Sequence, residues 1–242
     1  MERYWEEERK RVVDAKGDGM KRKELASRID HTILGPKATR EGVRILCEEA
    51  VSHGAASACV DPCYAMLAKG FLASSPVKLC VVVGFPSGMA TTEAKAFEAQ
   101  KAIADGADEL DMVVNVAALT DRQDNYVRAD IAAVCDVAKA APRPVHVKVI
   151  LETALLTDEE KERGARIAVE AGANFVKTST GFGPGGATVE DIALLRQTVG
   201  PDIGVKASGG IRDYATAIAM IEAGASRIGA SRTVAILEGA ED

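Results

Sequence analysis

The sequence predicts a (β/α)8 barrel, and three observations carry that prediction. Short β-branched runs alternate eight times with amphipathic helical patterns. Several helices end on a glycine that leads straight into the next apolar run, at His53-Gly54, Asp105-Gly106-Ala107, Ala171-Gly172-Ala173 and Ala223-Gly224-Ala225. Glycine there supplies the left-handed turn that closes a helix. Polar or reactive residues stand in or just after almost every strand: Asp30, Asp61, Asp111, Lys148, Lys177, Lys206 and Ser231. A doubly wound sheet gathers its site at one switch point, whereas a closed barrel brings all eight strand ends to one mouth. The third observation therefore selects the barrel. A chain of 242 residues, 47% of them hydrophobic, also fits the roughly 250 typical of that fold as a single domain.

Taken in order, residues 1–23 read as a short charged N-terminal extension, helical or disordered, and residues 24–242 as the barrel. Glu6-Glu7-Glu8-Arg9-Lys10-Arg11 is a solvated charge run, and Gly17-Asp18-Gly19 interrupts it. The strands are expected at Ile29–Leu34, Ser57–Asp61, Leu79–Phe85, Glu109–Val114, Val145–Leu151, Phe175–Thr178, Gly204–Ala207 and Arg227–Gly229. The helices between them are expected at Thr39–Ser52, Cys63–Leu72, Thr92–Asp105, Arg128–Lys139, Asp158–Ala171, Val189–Val199 and Tyr214–Ala223.

Composition excludes several classes of function. A net charge of −6 gives no overall basic footprint for nucleic acid. No apolar run approaches the roughly 18 residues of a membrane span, and the N-terminus carries no signal-peptide core. Five scattered cysteines, with no C-x-x-C, suit reduced thiols in a cytoplasmic protein better than disulfides or a zinc site, and no metal is expected. Gly181, Gly183 and Gly186 formally match G-x-G-x-x-G. They follow the sixth expected strand, however, and the position 20 residues beyond Gly186 is Lys206 where a dinucleotide site needs an acid. His53 and His146 read as structural residues, while His31 lies near the expected mouth.

The chemistry concentrates on three lysines. Lys148, Lys177 and Lys206 lie in or near the ends of the fifth, sixth and seventh expected strands, which are neighbours in a barrel. Two unit charges about 4 Å apart at an effective dielectric near 20 repel by roughly 4 kcal/mol. That repulsion can lower one of the three lysines by up to roughly 3 pKa units, the recognised route to a nucleophilic amine. Asp111 alternates with the apolar residues of the fourth strand and so points inward, where it can hold an ammonium or move a proton. Gly181, Gly209-Gly210 and Gly229-Ala230-Ser231 follow the last three strands, where bare backbone N–H groups of such barrels bind phosphate.

Eight ordered motifs between about residues 25 and 232 resemble the deoxyribose-phosphate aldolase family. They are Asp30-His31-Thr32, Cys59-Val60-Asp61-Pro62, Val83-Gly84-Phe85-Pro86, Glu109-Leu110-Asp111-Met112-Val113, Lys148-Val149-Ile150-Leu151-Glu152-Thr153, Lys177-Thr178-Ser179-Thr180-Gly181, Val205-Lys206-Ala207-Ser208-Gly209-Gly210-Ile211-Arg212 and Arg227-Ile228-Gly229-Ala230-Ser231. The resemblance implies a class I lyase of deoxyribonucleotide and carbohydrate catabolism. It would cleave 2-deoxy-D-ribose 5-phosphate reversibly to acetaldehyde and D-glyceraldehyde 3-phosphate. By the same resemblance Lys177 forms the Schiff base, Lys206 lowers its pKa, and Asp111 moves protons with Lys206 through a water. Lys148 orders that relay. Thr32, Thr180, Gly181, Gly209, Gly210, Gly229 and Ser231 contact substrate, chiefly its phosphate. No cofactor is implied beyond the covalent imine on Lys177, and a homodimer or higher homo-oligomer is expected. Asp61 and Arg232 depart from the family pattern, which usually has asparagine at the first and serine at the second. Two other readings fit the same residues: a Schiff-base aldolase with another phosphorylated substrate, and a non-catalytic sugar-phosphate-binding barrel.

Overall fold

The computed structural model describes residues 20–242. The expected 1–23 extension lies almost wholly outside that range; of it, Met20 is buried and the Arg22 N–H donates to the Glu241 carbonyl, 2.9 Å away. Eight parallel strands close in sequence order, β1 Ile29–Thr32, β2 Ser57–Val60, β3 Lys78–Val83, β4 Glu109–Val113, β5 His146–Ile150, β6 Phe175–Lys177, β7 Gly204–Ser208 and β8 Arg227–Ala230, with β8 returning to β1. The helices are α1 Arg22–Ala26, α2 Arg40–His53, α3 Ala65–Leu72, α4 Thr92–Ala104, α5 Val116–Thr120, α6 Asp124–Lys139, α7 Asp158–Glu170, α8 Val189–Val199, α9 Tyr214–Glu222 and α10 Thr233–Glu238.

The helix starts follow from their capping residues. Thr39, Thr91, Thr157, Thr188 and Asp213 each accept a backbone N–H three residues on, and Thr157 with Glu160 forms a reciprocal capping box. The ends follow from glycine. Gly54, Gly106, Gly172 and Gly224 all have positive φ, and the residues after the last three donate back into the final helical turn. Helix α6 opens four residues before its expected start, because Asp124 sits favourably at a helix N-terminus although its surroundings read as loop. Helix α5, capped by Asn115, and the 3-10 turns Pro62–Tyr64 and Thr153–Leu155 are too short for a hydrophobic period to reveal.

Strand alternation divides the interior in two. Leu79, Val81, Leu110, Met112, Val147, Val149, Val176, Val205 and Ile228 face outward into one continuous core beneath the helices. The inward positions carry Asp30, Cys59, Cys80, Val82, Glu109, Asp111, Lys148, Phe175, Lys177, Lys206 and Arg227, all buried. Barrel interiors are usually filled by branched apolar residues. Here charge fills most of the space, so stability rests on the outer core and the interior is available for chemistry.

Phe175 forms the floor of this interior. Arg227 lies 5.4 Å and Lys148 5.9 Å from its ring centroid, within cation–π range. A Cβ on neighbouring Gly204 would stand 2.0 Å from the Phe175 ring. Gly204→Ala must displace that ring and the charges resting on it. We expect a loss of about 1–3 kcal/mol, the usual range for overpacking, measured as a lowered urea midpoint at unchanged slope.

Candidate active site

Asp111 occupies the centre of the barrel. It is the third residue of β4, flanked by the outward-facing Leu110 and Met112, and is fully buried. Its Oδ2 accepts from Lys177 Nζ and from Lys206 Nζ, each at 2.7 Å, and its Oδ1 accepts from Lys148 Nζ at 2.9 Å. One carboxylate therefore binds the three lysines that the sequence placed at one mouth. Lys177 ends β6 and pairs in register with Lys206 on β7. Lys148 and Lys206 lie in the middle of their strands rather than at strand ends.

Two further carboxylates and an arginine extend the cluster toward the floor. Asp30 Oδ2 contacts Lys206 Nζ at 2.5 Å and Lys148 Nζ at 3.6 Å. Glu109 Oε2 contacts Lys148 Nζ at 2.5 Å, and Arg227 Nη1 reaches Asp30 Oδ1 at 2.7 Å and Glu109 Oε2 at 3.1 Å. Four cations thus face three carboxylates, leaving one excess positive charge within the group. Sequence reasoning quoted Asp30, Glu109 and Arg227 inside motifs but gave them no role. Their period-two spacing from Thr32, Asp111 and Gly229 was the available signal. Cys80 was also missed; its Sγ donates to Asp111 Oδ1 at 3.2 Å.

These contacts set the protonation of the group. Burial pushes Asp111 upward, but Lys148, Lys177 and Lys206 outweigh it and hold the carboxyl well below the usual range. Burial likewise raises Asp30 and Glu109, but Lys206, Arg227 and Lys148 bring Asp30, and Arg227 and Lys148 bring Glu109, below their ordinary values. Burial lowers Lys206 and Lys148, yet Asp111 and Asp30 for the first, and chiefly Asp111 for the second, raise them above a free lysine. The repulsion expected between the three lysines is therefore more than balanced at two of them. Burial pushes the Cys80 thiol well up, which keeps it a donor.

The mouth is lined by the loops after the strands. Thr32 ends β1, and its Oγ1 donates to the Asp30 carbonyl at 2.9 Å. His31, next to the inward Asp30, faces outward instead and pairs with Glu49 on α2 at 2.8 Å, so it does not reach the cluster. Asp61 accepts the Gly35 N–H at 2.8 Å and ties the β2 end to the β1 loop. Phe182, after β6, meets Phe85, after β3, edge-on at 5.4 Å.

The expected phosphate residues divide in two. Gly181, Gly209 and Gly210 all have positive φ, and their N–H groups and that of Ser231 find no acceptor among the described residues. The β6 and β7 loops touch through backbone: a Cβ on Gly209 would lie 3.0 Å from Gly186 Cα and 3.7 Å from Gly181 Cα. Such an arrangement of bare donors can hold an anion. Gly229, by contrast, faces the barrel interior, where a Cβ would stand 2.2 Å from Ser208 Oγ and 2.9 Å from Lys206 Cε. It makes room for the Lys206 side chain. Thr180 directs both its N–H and its hydroxyl to Glu152. Ser231 and Arg232 are exposed at the rim. Cys59, Cys80 and Asp111, and Asp30, Cys80 and Glu109, bring donor atoms within 4.8 Å of one another, as a metal needs, but the lysines already bound there oppose a cation.

The fold and the lysine–carboxylate cluster together define a barrel lyase of the aldolase type. Residues 25–238 match the DeoC/LacD family aldolase model, and the chain belongs to that family. It is 57% identical over 217 residues to deoxyribose-phosphate aldolase 1 of Bacillus licheniformis, covering 90% of this chain and 96% of that one. It is 54% identical over 225 residues to the deoxyribose-phosphate aldolase of Thermococcus kodakarensis, covering 92% and 100% respectively. Among solved structures, a tetrameric deoxyribose phosphate aldolase from Aeropyrum pernix superposes with a TM-score of 0.85 at 37% identity, over 96% of both chains.

The buried cluster predicts a two-sided pH dependence of stability. Carboxylates held low in the fold contribute stability above their unfolded value near 4 and lose it as pH falls through the folded one. Lysines held high contribute below about 10.4 and lose it as pH rises further. Unfolding free energy measured in urea should therefore decline below about pH 4 and above about pH 10. Asp111→Asn should fall by about 3–5 kcal/mol at neutral pH, because it leaves buried ammonium groups uncompensated.

Proposed function

We propose that the protein is a class I aldolase that reversibly cleaves 2-deoxy-D-ribose 5-phosphate to acetaldehyde and D-glyceraldehyde 3-phosphate, with Lys177 as the Schiff-base residue. The observation that carries the assignment of the nucleophile is the pairing of the three lysines. Lys148 touches Glu109, Asp111 and Asp30, and Lys206 touches Asp30 and Asp111, but Lys177 has Asp111 alone and stands nearest the mouth. The cluster carries one excess positive charge, so loss of one proton neutralises it. Lys177, with the fewest carboxylate partners and a place at the mouth, is the amine positioned to react.

The neutral amine of Lys177 adds to the substrate aldehyde, and loss of water gives an iminium. Cleavage of the C2–C3 bond sends its electron pair into that iminium and forms an enamine. The proton of the C3 hydroxyl enters the Asp111–Lys206 pair, and glyceraldehyde 3-phosphate departs. The proton returns to the enamine carbon, and hydrolysis frees acetaldehyde and Lys177. The iminium serves as the electron sink, so the step draws on no metal or organic cofactor. Lys148, fully buried and paired with three carboxylates, acts by holding Asp111. The N–H groups of Gly181, Gly209, Gly210 and Ser231, with Thr32 at the rim, receive the sugar phosphate. Buried free thiols at Cys47, Cys59, Cys80 and Cys135 support a reducing, cytoplasmic setting, and the family supports a homo-oligomer. No helix among the described residues is long and apolar enough to cross a membrane.

Acetaldehyde with sodium borohydride tests the assignment. Reduction should leave an ethyl group on Lys177 alone, located by peptide mass spectrometry, and Lys177→Leu should abolish it. Labelling spread over several lysines, or none, would sink the Schiff-base reading and leave the non-catalytic barrel. Lys206→Met should retain slow imine formation but lower kcat by about 10²–10⁴, the range for loss of a positioned acid–base group. Cleavage assays with other phosphorylated aldols separate this substrate from its nearest rival.

A further inference from the structure

We infer that Glu152 is a positioning residue that shapes the phosphate-binding loop after β6 and so sets the preference for a phosphorylated substrate. The inference rests on the proposed placement of the phosphate at that loop. Glu152 follows β5 and is one of two non-glycine residues among those described with positive φ, at 58°. That conformation disfavours a side chain with a Cβ, and it turns the Glu152 carboxylate inward, where the residue is buried. Flanking bonds fix the turn: the Leu151 N–H donates to the Lys177 carbonyl at 2.9 Å and the Thr153 N–H to the Thr178 carbonyl at 3.0 Å.

The carboxylate is spent on the loop. Glu152 Oε2 accepts the Thr180 N–H at 3.2 Å and the Thr180 hydroxyl at 2.5 Å, and Thr180 Oγ1 in turn accepts the Phe182 N–H at 3.0 Å. Both neighbours of Gly181 thus have their N–H groups turned toward one acceptor chain. The Gly181 N–H between them is left without an acceptor among the described residues. Gly183 passes so close that a Cβ there would lie 2.8 Å from Glu152 Oε1, which has no partner of its own. The far end of the loop is fixed separately, where the Ala187 N–H meets the Ser208 and Gly209 carbonyls at 3.1 Å.

A carboxylate under an anion site cannot be a ligand for the anion, since like charges repel. Its contribution is to collect the donors that would point elsewhere and to hold the loop in the shape that presents Gly181. None of these contacts involves Lys177 Nζ, so the chemistry and the phosphate hold are separable.

The test compares cleavage of 2-deoxyribose 5-phosphate with that of unphosphorylated 2-deoxyribose. Glu152→Ala should raise KM for the phosphorylated sugar at least tenfold and leave kcat/KM for the unphosphorylated one within twofold. Glu152→Gln, whose carbonyl can still accept both Thr180 donors, should recover most of the difference. If Glu152→Ala does not fold, Thr180→Val removes the bridging hydroxyl at constant shape and should raise KM for the phosphorylated sugar more than for the unphosphorylated one. A parallel loss on both substrates, or no change on either, overturns the inference while the phosphate reading stands. Equal handling of the two sugars by the unmodified enzyme overturns the phosphate reading and the inference together.

Discussion

The structure depends on one carboxylate shared among three ammonium groups. Burying an ion costs several kcal/mol even after the protein relaxes, and only dense compensation makes it tolerable. Asp111 alone could not offset three lysines. Asp30, Glu109 and Arg227 spread the charge along the barrel axis, so that every member but one has at least two opposite partners. The exception is Lys177. On the proposed function, reactivity arises from this imbalance at one end of an otherwise well-paired network.

That network can exist because the fold buries its apolar surface outside the barrel rather than within it. The apolar side chains of the strands point outward and pack beneath the helices in one continuous core. Braces outside the barrel hold the loops that surround the mouth. Lys95 on α4 is fully buried, donates to the Val113 carbonyl at 3.0 Å and pairs with Asp130 on α6 at 2.6 Å. From the same helix Glu98 accepts the Gly84 N–H at 2.6 Å, which fixes the start of the loop carrying Phe85. The outer layer thus supplies rigidity, and the inner layer supplies chemistry.

The barrel and the three principal residues were legible in the sequence because each rests on a local pattern. Alternation fixed the inward face of β4 and hence Asp111, and glycine caps marked where helices end. The wider network was not legible for a physical reason. Asp30, Glu109 and Arg227 are distant in the chain and meet only through strand register, which sets Lys206 beside Arg227 and Lys148 beside Asp111. His31 misled because proximity along the chain to Asp30 says nothing about which face of a strand a side chain takes. Gly229 read as an anion donor from its bare backbone, and nothing in the local pattern signals that its missing Cβ also clears space for Lys206. Glu152 left no trace, since its role depends on a left-handed turn that glutamate seldom adopts.

The placement of Lys177 gives the loop after β6 a double task. Three residues separate Lys177 from Gly181, so on the proposed function the same short stretch bears the reacting amine and an anion-binding N–H. A protein of net charge −6 repels a phosphorylated sugar at long range. Attraction must therefore come from close quarters, from the oriented N–H groups of the β6 and β7 loops. These act over only a few ångströms, which favours a substrate already seated in the mouth. Once the phosphate is held at one end of that stretch, the aldehyde carbon of a five-carbon chain is confined near the amine at the other. A held phosphate thus places the substrate for attack, whereas a sugar without one meets the same amine with no such help.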